Sequence, residues 1–350
     1  MGASRSSFPT LPDPQRPVIA LDAHGADGGA GAVAAGARSA GLAVLAFGPA
    51  AELGDLPIGS AVVDSPVAID AHAEPALAVR SGGESSIVRA AAAVARGEAG
   101  ALVSSGPTGA VLAASVLSIR RLRGVHRPAV AALLPAFGGR RTLLLDAGAN
   151  AEVRPEQLVQ FAHMGAAFMS AVHGVKAPTV ALLSVGEEAT KGTPDVVEAH
   201  RRLLEQDLRF VGNVEGRDLL VGAVDVVVTD GFTGNVALKT IEGTARAVAG
   251  SVGSAIRSSA VSSVGGLLVR GKLAALRAHL DPNSVGGAIL LGLRRPVVIA
   301  HGSSSSEGIA AAIALAACAV EEQMVERTAD ALAAAGVLRS APAGSVANDV

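Results

Sequence analysis

Short apolar runs alternate along this chain with longer stretches of helical spacing. The clearest run falls in Val224-Asp-Val-Val-Val-Thr-Asp230, where Val226, Val227 and Val228 stand together. Three adjacent β-branched residues fit a strand buried on both faces of a parallel sheet. The run stops at Asp230. Gly231 and Gly234 then permit a tight turn, and Thr233 or Asn235 is placed to cap a helix in which Val236, Ile241, Ala245 and Val248 keep roughly helical spacing. The same order recurs, with strands predicted at 18–21, 42–47, 61–63, from 101, and at 142–146, 180–185 and 296–300. Helices are predicted after Gly29, from Ser85 to about Arg96, from Pro155, and over 307–335. This rhythm predicts an α/β fold: a mostly parallel sheet with helices on both faces and right-handed crossovers. A Ser/Pro-rich tail over 1–16 reads as disordered, 17–336 as a single α/β catalytic domain, and 337–350 as a flexible tail.

Nearly every polar cluster falls at the carboxyl end of a predicted strand, where open α/β sheets collect ligands and where a helix N-terminus favours anions. Gly29-Ala-Gly-Ala-Val-Ala34 fits G-x-G-x-x-A, but it lies several residues beyond its strand, and the acidic residue that would hold a ribose is replaced by Phe47-Gly48-Pro49. A nucleotide-dependent dehydrogenase is the alternative this match supports.

Composition narrows the choice. Half of the residues are hydrophobic, yet there is no Trp or Tyr and only seven Phe, so the core is aliphatic and the composition argues against base stacking on exposed aromatics. A formal net charge of −2 argues against a nucleic-acid footprint. The single cysteine, Cys318, cannot form an internal disulfide and sits in an Ala-rich helix, as a structural thiol would. The first 16 residues lack the features of a secretory signal, and no apolar segment reaches spanning length, which predicts a cytoplasmic protein with at most peripheral membrane contact.

Six ordered motifs carry a specific resemblance. They are Asp146-Ala-Gly-Ala-Asn150, Gly186-Glu-Glu-Ala-Thr-Lys-Gly192, Gly212-Asn-Val-Glu-Gly-Arg-Asp218, Asp230-Gly-Phe-Thr-Gly-Asn235, Gly286-Gly287 and Ala300-His-Gly-Ser-Ser304. Together they resemble the PlsX-type phosphate acyltransferases, from about Val18 to the final helix. The resemblance implies transfer of a long-chain fatty acyl group from acyl carrier protein to inorganic phosphate, giving acyl phosphate for phosphatidic acid synthesis. It also implies a fold similar to the isocitrate dehydrogenase and phosphotransacetylase group, a homodimer, and onward delivery to a glycerol-3-phosphate acyltransferase at the membrane. Two positions depart from the family pattern: His24 and Ala26 replace a Met and a Gly of the first loop, and Pro107 stands where the family carries Asn, removing a donor.

The chemistry asks for an anion pocket and donors aimed at a developing oxyanion. Phosphate is a competent nucleophile near neutrality and a thiolate leaves readily, so a dedicated base is optional. Lys191 and Arg217 are cations in glycine-rich turns beyond strands, and Lys239 lies further along its helix. Asn150, Asn213 and Asn235 are neutral donors, and His301, before Gly302-Ser303, could donate to phosphate or a carbonyl oxygen. Asp230, Glu187 and Glu188 could hold the cations in place. The expected catalytic set is Lys191, Asp230, His301 and Asn235. The expected phosphate set is Asn150, Gly186, Asn213, Arg217, Gly231, Thr233, Gly234 and Ser303. No His/Asp spacing resembles a metal ligand set, and neither metal nor cofactor is expected. A non-catalytic scaffold of lipid synthesis on the same fold is a third reading.

Residues 243–280 contain no Asp or Glu but hold Arg246, Arg257, Arg270, Lys272 and Arg277. Ile256, Val261, Val264, Leu267, Leu268, Val269, Leu273, Leu276 and Leu280 supply an apolar side. A helical hairpin over about 250–280 is expected, broken at Gly265-Gly266, with Leu267-Leu268-Val269 near its tip and either anionic lipid or a dimer partner against it.

Overall fold

The computed structural model describes residues 17–280 and 286–339, apart from the side chains of 273–280. The strands and helices alternate as β1 (Ile19–Asp22), α1 (Gly29–Ala40), β2 (Val44–Gly48), α2 (Ala50–Leu53), β3 (Ala61–Asp64), α3 (Pro75–Ser81), α4 (Ser86–Ala95), β4 (Ala101–Ser104) and α5 (Thr108–Ala114). There follow β5 (Ala129–Pro135), β6 (Arg141–Leu145), α6 (Pro155–His173), β7 (Thr179–Leu183), α7 (Pro194–Leu203), β8 (Arg209–Val214), β9 (Val226–Val228), α8 (Gly231–Ile256), α9 (Ala260–Leu280), β10 (Ala288–Leu291), β11 (Val297–Ile299), α10 (Ser306–Glu321) and α11 (Met324–Ala334). The chain packs as two compact units, each assembled from two separate pieces: residues 17–119 with 295–321, and 120–294 with 322–339.

In the first unit the strand order is β3-β2-β1-β4-β11, every neighbour parallel. In the second it is β10-β5-β6-β9-β7-β8, with β5 antiparallel to both β10 and β6 and the remaining pairs parallel. The antiparallel pairs depart from a purely alternating βα reading: β6 follows β5 after only the short 3-10 turn Phe137–Gly139, with no α-helix to carry the chain back across the sheet. Val226, Val227 and Val228 are buried together with Leu143, Leu144, Leu145, Val180, Ala181 and Leu182, the two-sided burial expected of central parallel strands. Helix α6 covers them closely, because Gly165 leaves no side chain between the helix and Val226.

Two predicted elements are corrected. The final helix breaks at Gln323, whose φ of 50° takes the backbone out of the right-handed helical region, leaving α10 and α11 in different units. The hairpin turns at residues 257–259, not at Gly265-Gly266. Arg257 is the C-cap of the first helix, and Ser259 starts the second, its Oγ accepting from the Ser262 amide at 3.1 Å. Gly266 lies inside α9, where a Cβ would overlap Ile256 of α8, so the glycine permits close helix approach instead of ending the helix. Leu267, Leu268 and Val269 are therefore in the third turn of α9, all exposed. The expected tail over 1–16 and the side chains of Leu273, Leu276, Arg277 and Leu280 lie outside the described residues, as do residues 340–350 of the other tail.

Each unit is organised at its strand ends by one buried carboxylate. In the second unit, Asp146 Oδ1 accepts from the amides of Val130 (2.9 Å), Gly148 (3.1 Å) and Ala149 (2.9 Å), while Oδ2 accepts from the Asn150 amide and from Asn150 Nδ2, both at 2.8 Å. In the first, Asp22 Oδ1 accepts from Ser86 Oγ (2.6 Å) and the His24 amide (3.3 Å), and Oδ2 from Ser104 Oγ (2.6 Å). Burial pushes both carboxyls above the usual carboxylate range, against the donors that pull them down. The two networks differ in one respect: hydroxyls can turn to accept, whereas N–H groups cannot.

Asp146→Asn should consequently place an NH2 group against fixed donors and cost about 3 kcal/mol, read as a melting temperature at least about 5 °C lower. Asp22→Asn should stay within about 1 kcal/mol, because Ser86 and Ser104 reorient. The raised Asp22 carboxyl means that the folded chain binds a proton the unfolded chain has already released. Wild-type stability from this source therefore rises as pH falls through the raised value and levels off below 3.8, and Asp22→Asn should remove that rise in thermal melts across pH.

Candidate functional site

Parallel register decides which loops meet. Leu145 and Leu182 both pair with Val228, and Leu183 pairs with Val214, so residues 146–150, 184–192, 215–218 and 229–235 all leave the second unit's sheet at one edge. Gly186, Lys191, Arg217, Asp230, Gly231, Thr233, Gly234, Asn235 and Asn150 are on these loops, and Asn213 is the last buried position of β8 before the same edge.

The start of α8 is seated directly on the Asp146 loop. The Gly231 amide donates to the Asn150 carbonyl at 2.7 Å; a Cβ at Gly231 would come within 2.6 Å of that oxygen, and one at Gly234 would overlap the Asp146 carbonyl oxygen. These two glycines are thus required by close backbone approach. Asp230, not Thr233 or Asn235, is the N-cap: its Oδ1 accepts from the Thr233 amide (2.8 Å) and its Oδ2 from Thr233 Oγ1 (2.7 Å). A carboxylate of the chain itself therefore occupies the helix end, and the Gly231, Thr233 and Gly234 amides that were expected to be open to an anion are already paired.

The remaining side chains divide by whether they are committed to the fold. Asn150 Nδ2 donates to Asp146 and to the Pro128 carbonyl at 2.8 Å, so both of its amide hydrogens are in use. Asn213 Oδ1 pairs with His200 Nδ1 at 2.9 Å and its Nδ2 donates to the Glu188 carbonyl at 2.9 Å, tying α7 to the lysine loop. Arg217 pairs with Glu215 (2.8 Å) and Glu187 (3.2 Å), and Lys239 with Glu242 (2.8 Å). Lys191 is different: exposed, with its amide bonded to the Glu188 carbonyl at 3.0 Å, its ammonium has no carboxylate partner among the described residues. Its stem lies over Gly186, where a Cβ would stand 3.1 Å from Lys191 Cγ. Asn235, also exposed, has its amide beside Gly148 and makes no side-chain hydrogen bond among the described residues.

In the first unit, His301 and Ser303 follow β11. The Ser303 amide donates to His301 Nδ1 at 3.2 Å, and Ser303 Oγ lies 2.8 Å from the same nitrogen. An amide can only donate, so in the neutral ring Nδ1 accepts and Nε2 carries the proton, which an exposed imidazole presents to solvent. The loop is held by Gly302, whose carbonyl accepts from the Asp27 amide at 2.8 Å. A small pocket of the same unit is lined by Asp22, His24 and Ser86 with Ile69, Ile87 and Val111. Asp22 and Asp146 were not among the expected site residues. The signal for both was a carboxylate ending a fully apolar strand run and followed by small residues. No group of three or more His, Cys, Asp or Glu side chains among the described residues is placed to hold a metal ion.

The G-x-G-x-x-A match falls inside the first turns of α1, not in a strand-to-helix turn, and Gly36 in the same helix makes room for Ile309 of α10. Sequence comparison agrees in setting the dehydrogenase aside. A protein named phosphate acyltransferase from Anaeromyxobacter dehalogenans (strain 2CP-C) is 43% identical over 340 residues, covering 94% of either chain. One of the same name from Thermobifida fusca (strain YX) is 45% identical over 316 residues, 86% of this chain and 87% of that one. Among solved structures, a phosphotransacetylase from Streptococcus pyogenes aligns over 89% of this chain and 94% of its own with a TM-score of 0.57 at 17% identity, a likeness of fold. The EutD phosphotransacetylase from Staphylococcus aureus gives 0.55, at 17% identity over 87% of this chain and 94% of that one. The sequence profile of the family described as fatty acid synthesis protein matches residues 18–327, so that the chain belongs to that family, the one of the PlsX-type phosphate acyltransferases whose motifs it carries.

Proposed function

We propose that this protein transfers a fatty acyl group from the thioester of acyl carrier protein to inorganic phosphate, releasing acyl phosphate for phospholipid synthesis. The observation that carries the reading is Lys191, a cation left without a carboxylate partner among the described residues, on the second unit's sheet edge where four of the motif loops emerge. In the reaction a phosphate oxygen attacks the thioester carbonyl, the C–S bond breaks and the thiolate leaves. Lys191 neutralises charge on phosphate or the oxyanion, and the amide of Asn235 donates to an oxygen of the reacting group. His301, with its Nε2–H outward and Ser303 fixing the tautomer, is a further donor on its own unit's edge. Asp230, Gly231, Thr233 and Gly234 seat the helix, while Gly186, Asn150, Asn213 and Arg217 hold the loops in shape. The identity to proteins named phosphate acyltransferase supports this assignment over a scaffold role.

We further propose that the hairpin of α8 and α9 gives the protein a homodimer contact and a peripheral hold on anionic membrane at the cytoplasmic face, where the product passes to a glycerol-3-phosphate acyltransferase. Support comes from Leu268 and Val261, 82% and 83% exposed, with Leu267, Val264, Val248 and Val252 also exposed, next to Arg257, Arg270 and Lys272. No single helix among the described residues is long and apolar enough to cross a membrane.

Incubation with palmitoyl-loaded acyl carrier protein and hydroxylamine should trap acyl hydroxamate only when phosphate is present, with no dependence on nucleotide or chelator. Turnover that needs ATP or NAD would overturn the assignment. In flotation, the protein should rise with liposomes that contain anionic lipid and less so as salt increases, and Leu267→Glu/Leu268→Glu should abolish rising without loss of soluble turnover. A double mutant that still floats would leave the hairpin as a subunit contact alone.

A further inference from the structure

Antiparallel β5 starts at the edge where the parallel strands of the second unit end, since Ala131 pairs with Leu145 and Ala129 with Leu291. The segment leading into β5 is Arg120-Arg-Leu-Arg-Gly-Val-His-Arg127, four arginines in eight residues. Backbone contacts gather more cations around it. The Arg294 amide donates to the Arg120 carbonyl at 3.0 Å, Arg294 Nε to the Arg121 carbonyl at 3.2 Å, and the Arg339 amide to the Gly124 carbonyl at 2.8 Å. Arg121 itself donates to the His126 carbonyl. Burial holds the His126 imidazole below its usual range, Glu156 opposes that shift, and the nearby guanidiniums of Arg339, Arg121 and Arg154 add to it, which places three cations around one ring.

This cluster is unusual for a chain of net charge −2. Arg120, Arg121, Arg123, Arg127, Arg294 and Arg339 are exposed, and among the described residues none of them is ion-paired with a carboxylate. The acidic residues of the neighbouring stretch are Glu152 and Glu156, and Glu156 is paired with Arg202 at 3.4 Å. Six like charges held together by backbone hydrogen bonds repel one another, and an external set of carboxylates relieves that repulsion. The patch also abuts the candidate site: the Pro128 carbonyl, one residue past Arg127, accepts from Asn150 Nδ2 in the Asp146 network.

From these observations we infer that the arginine cluster at 120–127, with Arg294 and Arg339, is a docking surface for a small acidic protein that presents a cluster of carboxylates. Guanidinium forks pair with carboxylates in two-pronged geometry, which suits such a face. A lipid surface fits less well, because Val125 and Leu293 are buried and these segments expose no large apolar side chain for insertion. The inference rests on the proposed acyl transfer, for which the partner is the thioester-carrying protein; docking beside the Asp146 loop brings its thioester to the edge that holds Lys191. Charge of this kind speeds association and weakens steeply with salt.

The test uses Arg123→Glu/Arg127→Glu/Arg339→Glu, three side chains that make no hydrogen bond or ion pair among the described residues. Two donors are compared: palmitoyl-loaded acyl carrier protein, and palmitoyl-pantetheine, which carries the thioester without the protein. The variant should bind labelled carrier at least about 10-fold more weakly in fluorescence anisotropy, with a KM for the carrier raised to match, kcat little changed, and unaltered use of palmitoyl-pantetheine. Raising salt should bring wild type toward the variant. Wild-type carrier binding in the variant overturns the inference, as does an equal loss with both donors. Weakened binding to anionic vesicles or to DNA with carrier binding intact would assign the patch to those ligands and equally overturn it. Absence of turnover with either donor in wild type would overturn the acyl-transfer reading instead, and the anisotropy titration would still decide docking.

Discussion

The Asp146 carboxylate is the constraint on which the second unit's working edge depends. It is fully buried, it draws five N–H donors from β5, its own loop and Asn150, and the main chain of its loop forms the surface on which α8 rests, Gly234 against Asp146 and Gly231 against Asn150. A buried charge is tolerated only where donors replace water, so the loop has little freedom to relax. The helix that follows β9 is fixed by the same contact. Asp230 then caps it, so a carboxylate of the chain pairs with the Thr233 amide and hydroxyl at this end of the helix.

That arrangement changes how the edge handles charge. Arg217 and Lys239 are neutralised by neighbouring glutamates, and Asn150 and Asn213 are used in holding loops. What is left for an incoming ligand is a flexible lysine on a rigid glycine turn, a neutral amide at the start of α8, and a basic shoulder at 120–127. A site built this way has its scaffold in buried hydrogen bonds and its affinity in a few exposed groups, so changes to the first affect folding and changes to the second affect chemistry.

Much of this was legible in the sequence. Central strands announced themselves as β-branched or leucine runs, and glycine-rich turns at their ends located the polar loops, because a two-sided buried strand admits nothing else. Strand β5 was not legible: Ala129-Val-Ala-Ala-Leu-Leu-Pro135 has neither alternation nor a β-branched run, and alanine fits a helix as well as a strand. The antiparallel entry, and with it the placement of the arginines beside the site, depends on this strand. The roles of Asp230 and Asn213 were hidden for another reason. Both are polar residues at strand ends, where capping, bracing and ligand binding use the same side chains, and only the partner distinguishes them. Gly265-Gly266 misled by propensity, since tertiary packing against Ile256 outweighs the cost of glycine in a helix.

The central claim is that Lys191 supplies the charge that phosphate needs, while the Asp146 network supplies only shape. Phosphate saturation of acyl hydroxamate formation in Lys191→Met, alongside its melting curve, tests this most directly. The account predicts kcat/KM for phosphate lower by about two orders of magnitude or more, with the melting temperature unchanged, as expected when one charge-stabilising donor is removed. Phosphate dependence close to that of wild type would contradict it and return Lys191 to the solvated surface.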